Sequence, residues 1–248
     1  MRVDVFFTAR EVGPGDVAGR VVAVLDVLRA SSSIATALAN GARAVVPGEN
    51  SEAVVTRAKA FERHDVRLAG ERRMRKIEGF DLGNSPLEFT RDAVEGRTVL
   101  MSTTNGTGAF SATQGAREVL VGSFVNFTPV LAVMRAALRK GADLAFICAG
   151  HEGQFSLEDA ACAGRFVHHA TRRLSGVLLN DAALAAVHLH RKFGDDLWGL
   201  FETSRHGQAL AEAGFAADLV ACATLDAHQV VPMYQDRQIT RLAPPRGA

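Results

Sequence analysis

The chain has 248 residues, 48% of them hydrophobic, and 28 basic side chains against 27 acidic ones give a net charge of +1. That length and composition suit one large domain or two small ones with an ordinary buried core. The near-neutral balance excludes a global field that would draw the protein to nucleic acid or to an anionic membrane, so any anion binding must be local. The opening "MRVDVFFTAREVGPGD" has too short an apolar run and too many early charges for a signal peptide, and no stretch reaches the ~18 apolar residues of a membrane span, so a cytoplasmic location is expected.

Short β-branched runs alternate with longer Ala-rich amphipathic stretches, the pattern of parallel strands joined by crossover helices, and the class is α/β. Strands are expected at 4–7, 21–25, 44–47, 66–68, 98–102, 118–121 and 144–148. Helices are expected at 32–40, 51–63, 106–114, 129–139, 157–173, 181–193 and 204–213. Ser51, with Glu52 beside it, suits a helix N-cap, while "NGAR" and "KGAD" place Gly41 and Gly141 where a left-handed C-cap is wanted. The long connection 70–96 is rich in charge, Gly and Asn, yet Ile77, Phe80, Leu82, Leu87 and Phe89 punctuate it, which predicts an ordered, folded-back loop. The three cysteines, Cys148, Cys162 and Cys222, show no C-x-x-C spacing and read as reduced, buried thiols.

"GRVVAVLDVLRASSSIATALANGARAVV" from Gly19 lines up with "GRTVLMSTTNGTGAFSATQGAREVL" from Gly96, the second copy being three residues shorter. Both copies put a polar cluster at a strand-to-helix turn. Any two βαβ units share that much, so the repeat does not decide function.

In open α/β sheets, ligands bind outside the carboxyl ends of the strands. Following each strand, the sequence offers Asp26, Arg29 and Ser31 to Ser33; Glu71, Arg72, Asp81, Asn84 and Ser85; Ser102, Thr103, Thr104, Asn105 and Gly106; Ser123 and Asn126; and Cys148, His151, Glu152, Glu158 and Asp159. Hydroxyls, amides, Gly-rich turns and an arginine suit a phosphate or sulfonate. The carboxylates would repel that anion unless a divalent cation sat among them, and hard oxygen donors suit Mg²⁺. This combination points to a Mg²⁺-dependent site acting on a small phosphate ester.

Common phosphatase signatures do not fit. Positions six beyond the cysteines are Gln154, His168 and His228 rather than Arg; Leu28 replaces the second Asp of D-x-D-x-[TV]; and "RHG" at 205–207 follows no apolar strand and has Ala209 where a further Arg is wanted. A Walker pattern is absent, and Ser111 breaks a dinucleotide fingerprint after "NGTG". The histidines around His168, His169, His188 and His190 lie on expected helices without metal-ligand spacing, which favours surface or packing roles.

Taken as a set, "DVLRASSSIATALANGA", "GER", "KIEGFDLGNSP", "TTNGT", "GSFVN", "CAGHEGQFSLEDAACAG", "SRHG" and "GFAADLVACATLD" resemble the 2-phosphosulfolactate phosphatase family, the ComB type from coenzyme M biosynthesis. The resemblance runs from about residue 3 to about residue 233, with the motifs in the family's order. It implies a Mg²⁺-dependent phosphatase converting 2-phospho-3-sulfolactate to 3-sulfolactate and phosphate. It also implies a three-layer α/β/α fold with a mostly parallel or mixed sheet, and a homodimer. A single domain over 1–248 is expected, alternatively two intimately packed α/β halves. The motif residues map to Asp26, Arg29, Glu71, Asp81, Asn84, Thr103, Thr104, Asn105, Ser123, Asn126, Glu152, Glu158 and Asp159.

On this reading Asp26, Glu71, Glu158 and Asp159 are catalytic, and Asp26, Glu71 and Asp81 hold Mg²⁺. Thr103 to Gly106, Ser123, Asn126, Asn84 and Glu152 line the substrate, and Arg29 takes the carboxylate or sulfonate. Asp26 is open to two roles, metal ligand or nucleophile. A non-catalytic anion- or nucleotide-binding module would use the same donors but needs no cluster of acids. A phosphatase, phosphotransferase or lyase acting on another small ester is the remaining alternative.

Overall fold

The computed structural model describes residues 1–103 and 106–242. The chain opens with β1 (Arg2–Phe6), β2 (Val21–Leu25), α1 (Ala30–Ala39), β3 (Ala44–Pro47), α2 (Ser51–Ala58), β4 (Val66–Arg72) and β5 (Arg75–Lys76). It continues with α3 (Arg91–Val94), β6 (Thr98–Ser102), α4 (Gly106–Ser111), β7 (Glu118–Gly122), α5 (Phe127–Arg139), β8 (Leu144–Cys148) and α6 (Leu157–Thr171). The last third holds β9 (Leu178–Leu179), α7 (Asp181–Phe193), α8 (Leu197–Thr203), α9 (Arg205–Glu212), α10 (Ala216–Cys222), β10 (Pro232–Gln235) and β11 (Gln238–Arg241).

All the strands join one sheet in the order β5-β4-β6-β3-β11-β10-β7-β2-β8-β1-β9. It is a mixed sheet in an α/β fold, as expected. Two parallel sets, β4-β6-β3 and β7-β2-β8-β1-β9, are joined through the antiparallel β10–β11 hairpin. Three antiparallel steps separate β7 from β3, so the two sets run in opposite senses along the ladder.

The seven expected strands all form, within two residues of their predicted starts and extended at 72 and 122. The hairpin was not foreseen. Its two-residue loop, Asp236–Arg237, has positive φ at both positions (51° and 62°), as a tight turn matched to strand twist requires. Asp-Arg is not a typical pair for that geometry, and Pro232 argues against a strand. Two other expectations are corrected. Asn50, not Ser51, caps α2, its side chain accepting the Ala53 N–H at 2.8 Å, and α2 stops at Ala58 because the following N–H groups turn to carbonyls three residues back, as Phe61 N–H does to Ala58 O (3.0 Å). The short helices α3, α8 and α10 carried too few turns to show a period.

Side chains alternate along the strands, and three cores follow from that alternation. Val21, Ala23 and Leu25 of β2 face a core shared with Val130 and Met134 of α5, Phe166 of α6 and Ala186 of α7. Val22 and Val24 face the opposite way, joining Ile34, Ala35 and Leu38 of α1 and, from the other parallel set, Val45, Val99 and Met101. Val46, Val66 and Leu100 cover Val54 of α2 and Phe80. Phe80, Leu82 and Phe89 are buried, so the segment 70–96 is folded back as predicted, although Leu87 stays exposed. The three cysteines are free and buried. No helix among the described residues is long and apolar enough to cross a membrane.

The faint repeat is a real structural one. β2 of the first copy pairs with β7 of the second, Val21 opposite Glu118, while β6 of the second pairs with β3 of the first, Thr98 opposite Ala44. These are equivalent positions in the two copies, so each copy exchanges its second strand with the other. Four matched backbone bonds seal the exchange: Gly19 N–H to Gly115 O (2.9 Å) mirrors Gly96 N–H to Gly41 O (2.9 Å), and Arg43 N–H to Arg97 O (2.8 Å) mirrors Arg117 N–H to Arg20 O (2.8 Å). Gly41 and Gly115 take φ of 92° and 86°, a left-handed conformation in which a side chain would be strained.

Candidate active site

A cavity of about 390 Å³ gathers residues from six separate stretches. Asp26 and Arg29 come from the turn after β2; Glu71, Arg73 and Met74 from the end of β4 and its turn into β5; Asn84 and Thr103 from the loop before α3 and the end of β6; His151 and Glu152 from the loop after β8; and Arg205 and His206 open α9. Asp26 and Thr103 are equivalent positions in the two repeat copies, so both copies end in one cavity. A wider surface cleft of about 600 Å³ between α4, β7 and the hairpin gathers none of these groups.

Asp26 closes β2 because the turn needs a local acceptor. Its carboxylate takes the Ala30 N–H (3.2 Å), its carbonyl the Ser31 N–H (2.8 Å), and its own N–H donates to Ser31 Oγ (2.9 Å). Burial pushes the Asp26 carboxyl up to about 6; His206 and the Ala30 N–H pull the other way, and Glu71 and Glu158 add to the rise. Asp159, raised well above the ordinary carboxylate range by burial and then by Glu158 and Asp26, accepts N–H groups from Val27 (2.8 Å) and Gly150 (3.1 Å). It therefore ties the β2 and β8 loops together. Among the described residues it does not line the cavity.

Glu158 lies against His206, Oε1 being 3.1 Å from Nδ1. Although burial opposes ionisation, the hydrogen bond and charge of His206 hold the Glu158 carboxyl below its usual value. An ionised Glu158 accepts, which places a proton on Nδ1 of His206. The His206 ring stacks on His151, centroids 4.0 Å apart, and burial, followed by His206, lowers the proton affinity of His151. Glu158 also lines a recess of about 170 Å³ that shares His151, Glu152, Arg205 and His206 with the main cavity. α9 begins here because Ser204 Oγ caps it, accepting the Gly207 N–H at 2.9 Å.

Several expected ligands have other partners. Asp81 is not in the cavity: its carboxylate pairs with Arg63 and accepts the Leu68 N–H (2.8 Å), and the Arg63 bond and charge hold it below the usual range against the effect of burial. Ser123 and Asn126 are fully buried beneath the site. Ser123 Oγ shares a hydrogen bond with Ser32 Oγ (2.7 Å), and Asn126 Oδ1 accepts the Ser123 N–H (2.9 Å) in a reciprocal cap. Ser31, Ser32 and Ser33 likewise bond within the protein, Ser33 Oγ donating to Asn84 O (2.8 Å). Arg29 reaches the wall, but its guanidinium pairs with Asp218 (2.6 Å), donates to Met74 O (2.9 Å) and lies over the Phe215 ring. Ser85 Oγ donates to the other Asp218 oxygen at 2.6 Å. Thr104 and Asn105 lie outside the described residues, and Gly106 begins α4. Cys148 is pushed well above its ordinary value by burial and then by Asp159, which suits an inert thiol.

Sequence reasoning missed Arg73, Arg205 and His206. "SRHG" fails as a histidine-phosphatase signature, and its place among the motifs of the resemblance is the signal that points to two of the three. Asn84, 6% exposed, lines the cavity with an Oδ1 that has no hydrogen-bond partner among the described residues. A buried acceptor left bare at a cavity wall is a position where a ligand or ion supplies the missing bond.

The cavity thus combines carboxylates from Asp26, Glu71 and Glu152, cations from Arg73 and Arg205, and an imidazole held by a buried acid. The 2-phosphosulpholactate phosphatase family model matches residues 6–237. A probable 2-phosphosulfolactate phosphatase of Gloeobacter violaceus is 41% identical over 232 residues, 94% of each chain. The protein of the same name from Symbiobacterium thermophilum is 40% identical, over 92% of this chain and 96% of its own. That from Caldanaerobacter subterraneus subsp. tengcongensis is 36% identical, over 94% and 95%. With matches spanning nearly the whole chain, this protein belongs to the 2-phosphosulpholactate phosphatase family.

Proposed function

We propose that this chain is a Mg²⁺-dependent phosphatase that hydrolyses 2-phosphosulfolactate to sulfolactate and phosphate, and that it works as a cytoplasmic homodimer. The observation that carries the chemistry is the convergence of carboxylates, arginines and the Glu158–His206 pair on one cavity. The donor set suits Mg²⁺: Asp26 and Glu71 offer hard anionic oxygens, and the bare Asn84 Oδ1 adds a neutral one. Bound there, the ion would neutralise and polarise the phosphoryl oxygens.

The protein's own groups supply the rest. Arg73 and Arg205 bind the dispersed negative charge of phosphate and sulfonate. As water attacks phosphorus, the bond from phosphorus to the substrate's alcohol oxygen breaks, and His206 gives that oxygen a proton. Glu158 stabilises the protonated imidazole and fixes its orientation through Nδ1. Arg29, neutralised by Asp218, sets the shape of the wall rather than binding an anion.

The test is phosphate release from a panel of small phosphate esters, with and without Mg²⁺. Preference for a 2-phospho ester that also bears a sulfonate, lost with Mg²⁺ removal or with Asp26→Ala, is the expected result. Metal-independent release, binding without turnover, or full activity in Asp26→Ala overturns the reading. Sedimentation of the purified chain tests the dimer.

A further inference from the structure

We propose that His168, His169 and His190 form a second metal site, for a nitrogen-preferring ion of the Zn²⁺ class, remote from the phosphatase cavity. His168 and His169 lie in the last turn of α6 and His190 in the last turn of α7. The ring centroids are 5.1 to 5.7 Å apart, and one ligand atom from each histidine lies within 4.8 Å of the others. A tetrahedral ion with bonds of about 2.1 Å needs nitrogens about 3.4 Å apart, a closure that small side-chain rotations supply. Among the described residues, no hydrogen bond engages these three rings.

The backbone brings the rings together. A Cβ added to Gly164 would lie 1.8 Å from Ala186 O, so α6 and α7 touch backbone to backbone at that point. His168 is four residues beyond Gly164 and His190 four beyond Ala186, which sets both one turn past the contact on the facing sides. The cluster is about 15 Å along α6 from Glu158, and none of its members lines the phosphatase cavity.

The electrostatics favour neutral imidazoles. Burial, then Arg165 and the two other histidines, pushes His190 down to about 4. Burial leads the lowering of His168, with Arg191 and Arg172 following, and of His169, with His168, Arg165, Arg172 and Arg135 following. The same cations oppose a metal ion, but Arg165 is paired with Asp195 at 2.7 Å, and Arg172 and Arg191 are solvent-exposed and therefore screened. Three imidazoles select Zn²⁺, Ni²⁺ or Cu²⁺ over the Mg²⁺ that the oxygen-rich cavity suits, and they leave one position to solvent. The bound ion would clamp α6 to α7 at the end opposite Glu158, the acid of α6 that bonds His206.

Calorimetric titration of the metal-free full chain with Zn²⁺, in excess Mg²⁺, is the test. One Zn²⁺ per chain is expected, and Co²⁺ in its place should give the intense visible bands of a four-coordinate site. His169→Ala and His190→Ala should each weaken binding more than about 100-fold, since even outer-shell partners of a metal cost 10- to 100-fold. Retained phosphate release reports that each variant is folded. Absence of binding to the wild type, unchanged affinity in both folded variants, or loss of binding in His206→Ala instead overturns the proposal.

Discussion

The two repeat copies share a backbone frame and differ in what they place at its end. Each runs strand, polar turn, helix, positive-φ glycine and strand, and each seals the other with the same pair of backbone bonds. At the equivalent strand end the first copy carries Asp26 and the second Thr103, and both reach the same cavity. One duplicated frame thus supplies a buried acid from one side and a hydroxyl from the other. Because the frame is held by backbone bonds and glycine conformations, the strand-end side chain is free to specialise.

The sharpest way to break this comparison is Asp26→Ala, which should lower Mg²⁺-dependent phosphate release by about 10³-fold, the several kcal/mol expected when a metal-centred charge arrangement is lost. If the activity survives, the two copies are interchangeable decoration. His206→Gln should cost about 10²-fold in kcat on an alkyl phosphate and much less on an aryl phosphate, whose leaving oxygen needs no proton. Equal losses on both esters would remove the general-acid role.

Asp26→Asn separates function from stability. In the native chain the carboxyl titrates at about 6, against 3.8 ordinarily, so between those values the folded state holds a proton that the unfolded state has released. Stability therefore falls as pH rises from about 4 to about 6, and the full penalty, about 3 kcal/mol, is present above that window. The metal-free Asn variant should be more stable than wild type by that amount at pH 8 and equal to it below pH 4, as read by denaturant melts. An unchanged difference across the window would show that Asp26 does not titrate there.

At the equivalent position of the second copy, Thr103→Val should raise KM by about tenfold, the worth of one hydrogen bond, with kcat little changed. The smallest effect tests the frame itself. Gly41→Ala and Gly115→Ala should each destabilise by about 1 kcal/mol, by similar amounts and without altering KM, because both positions need positive φ. A large inequality between the two would mean the copies do not bear load alike.

Much of the sheet was legible because a buried strand is a run of apolar residues bounded by turn chemistry, as at 21–25 and 144–148. The β10–β11 hairpin was not, since its strands are short, one begins with Pro232, and its turn residues are Asp236 and Arg237. For the site, the strand-end rule found Asp26, Glu71, Asn84, Thr103 and Glu152, all of which line the cavity. It also gathered Asp81, Ser123, Asn126 and the three serines, which are satisfied inside the protein. The rule cannot separate the two groups, because every buried polar side chain needs a partner and a cap looks the same in sequence as a ligand. Arg205 and His206 escaped it because they arrive on a helix start, far along the chain from any strand of the cavity.

The sequence by itself determined the α/β class, the positions of seven of the strands, the repeat alignment and the family, since these depend on local periodicity, turn residues and motif order. Only the tertiary structure decided which copy pairs with which, that Asp26 and Thr103 line one cavity, that Arg29 pairs with Asp218, and that Glu158 bonds His206. Those are juxtapositions of residues tens to nearly two hundred positions apart, and hydrophobic pattern carries no information about which polar group each will find once the core has closed.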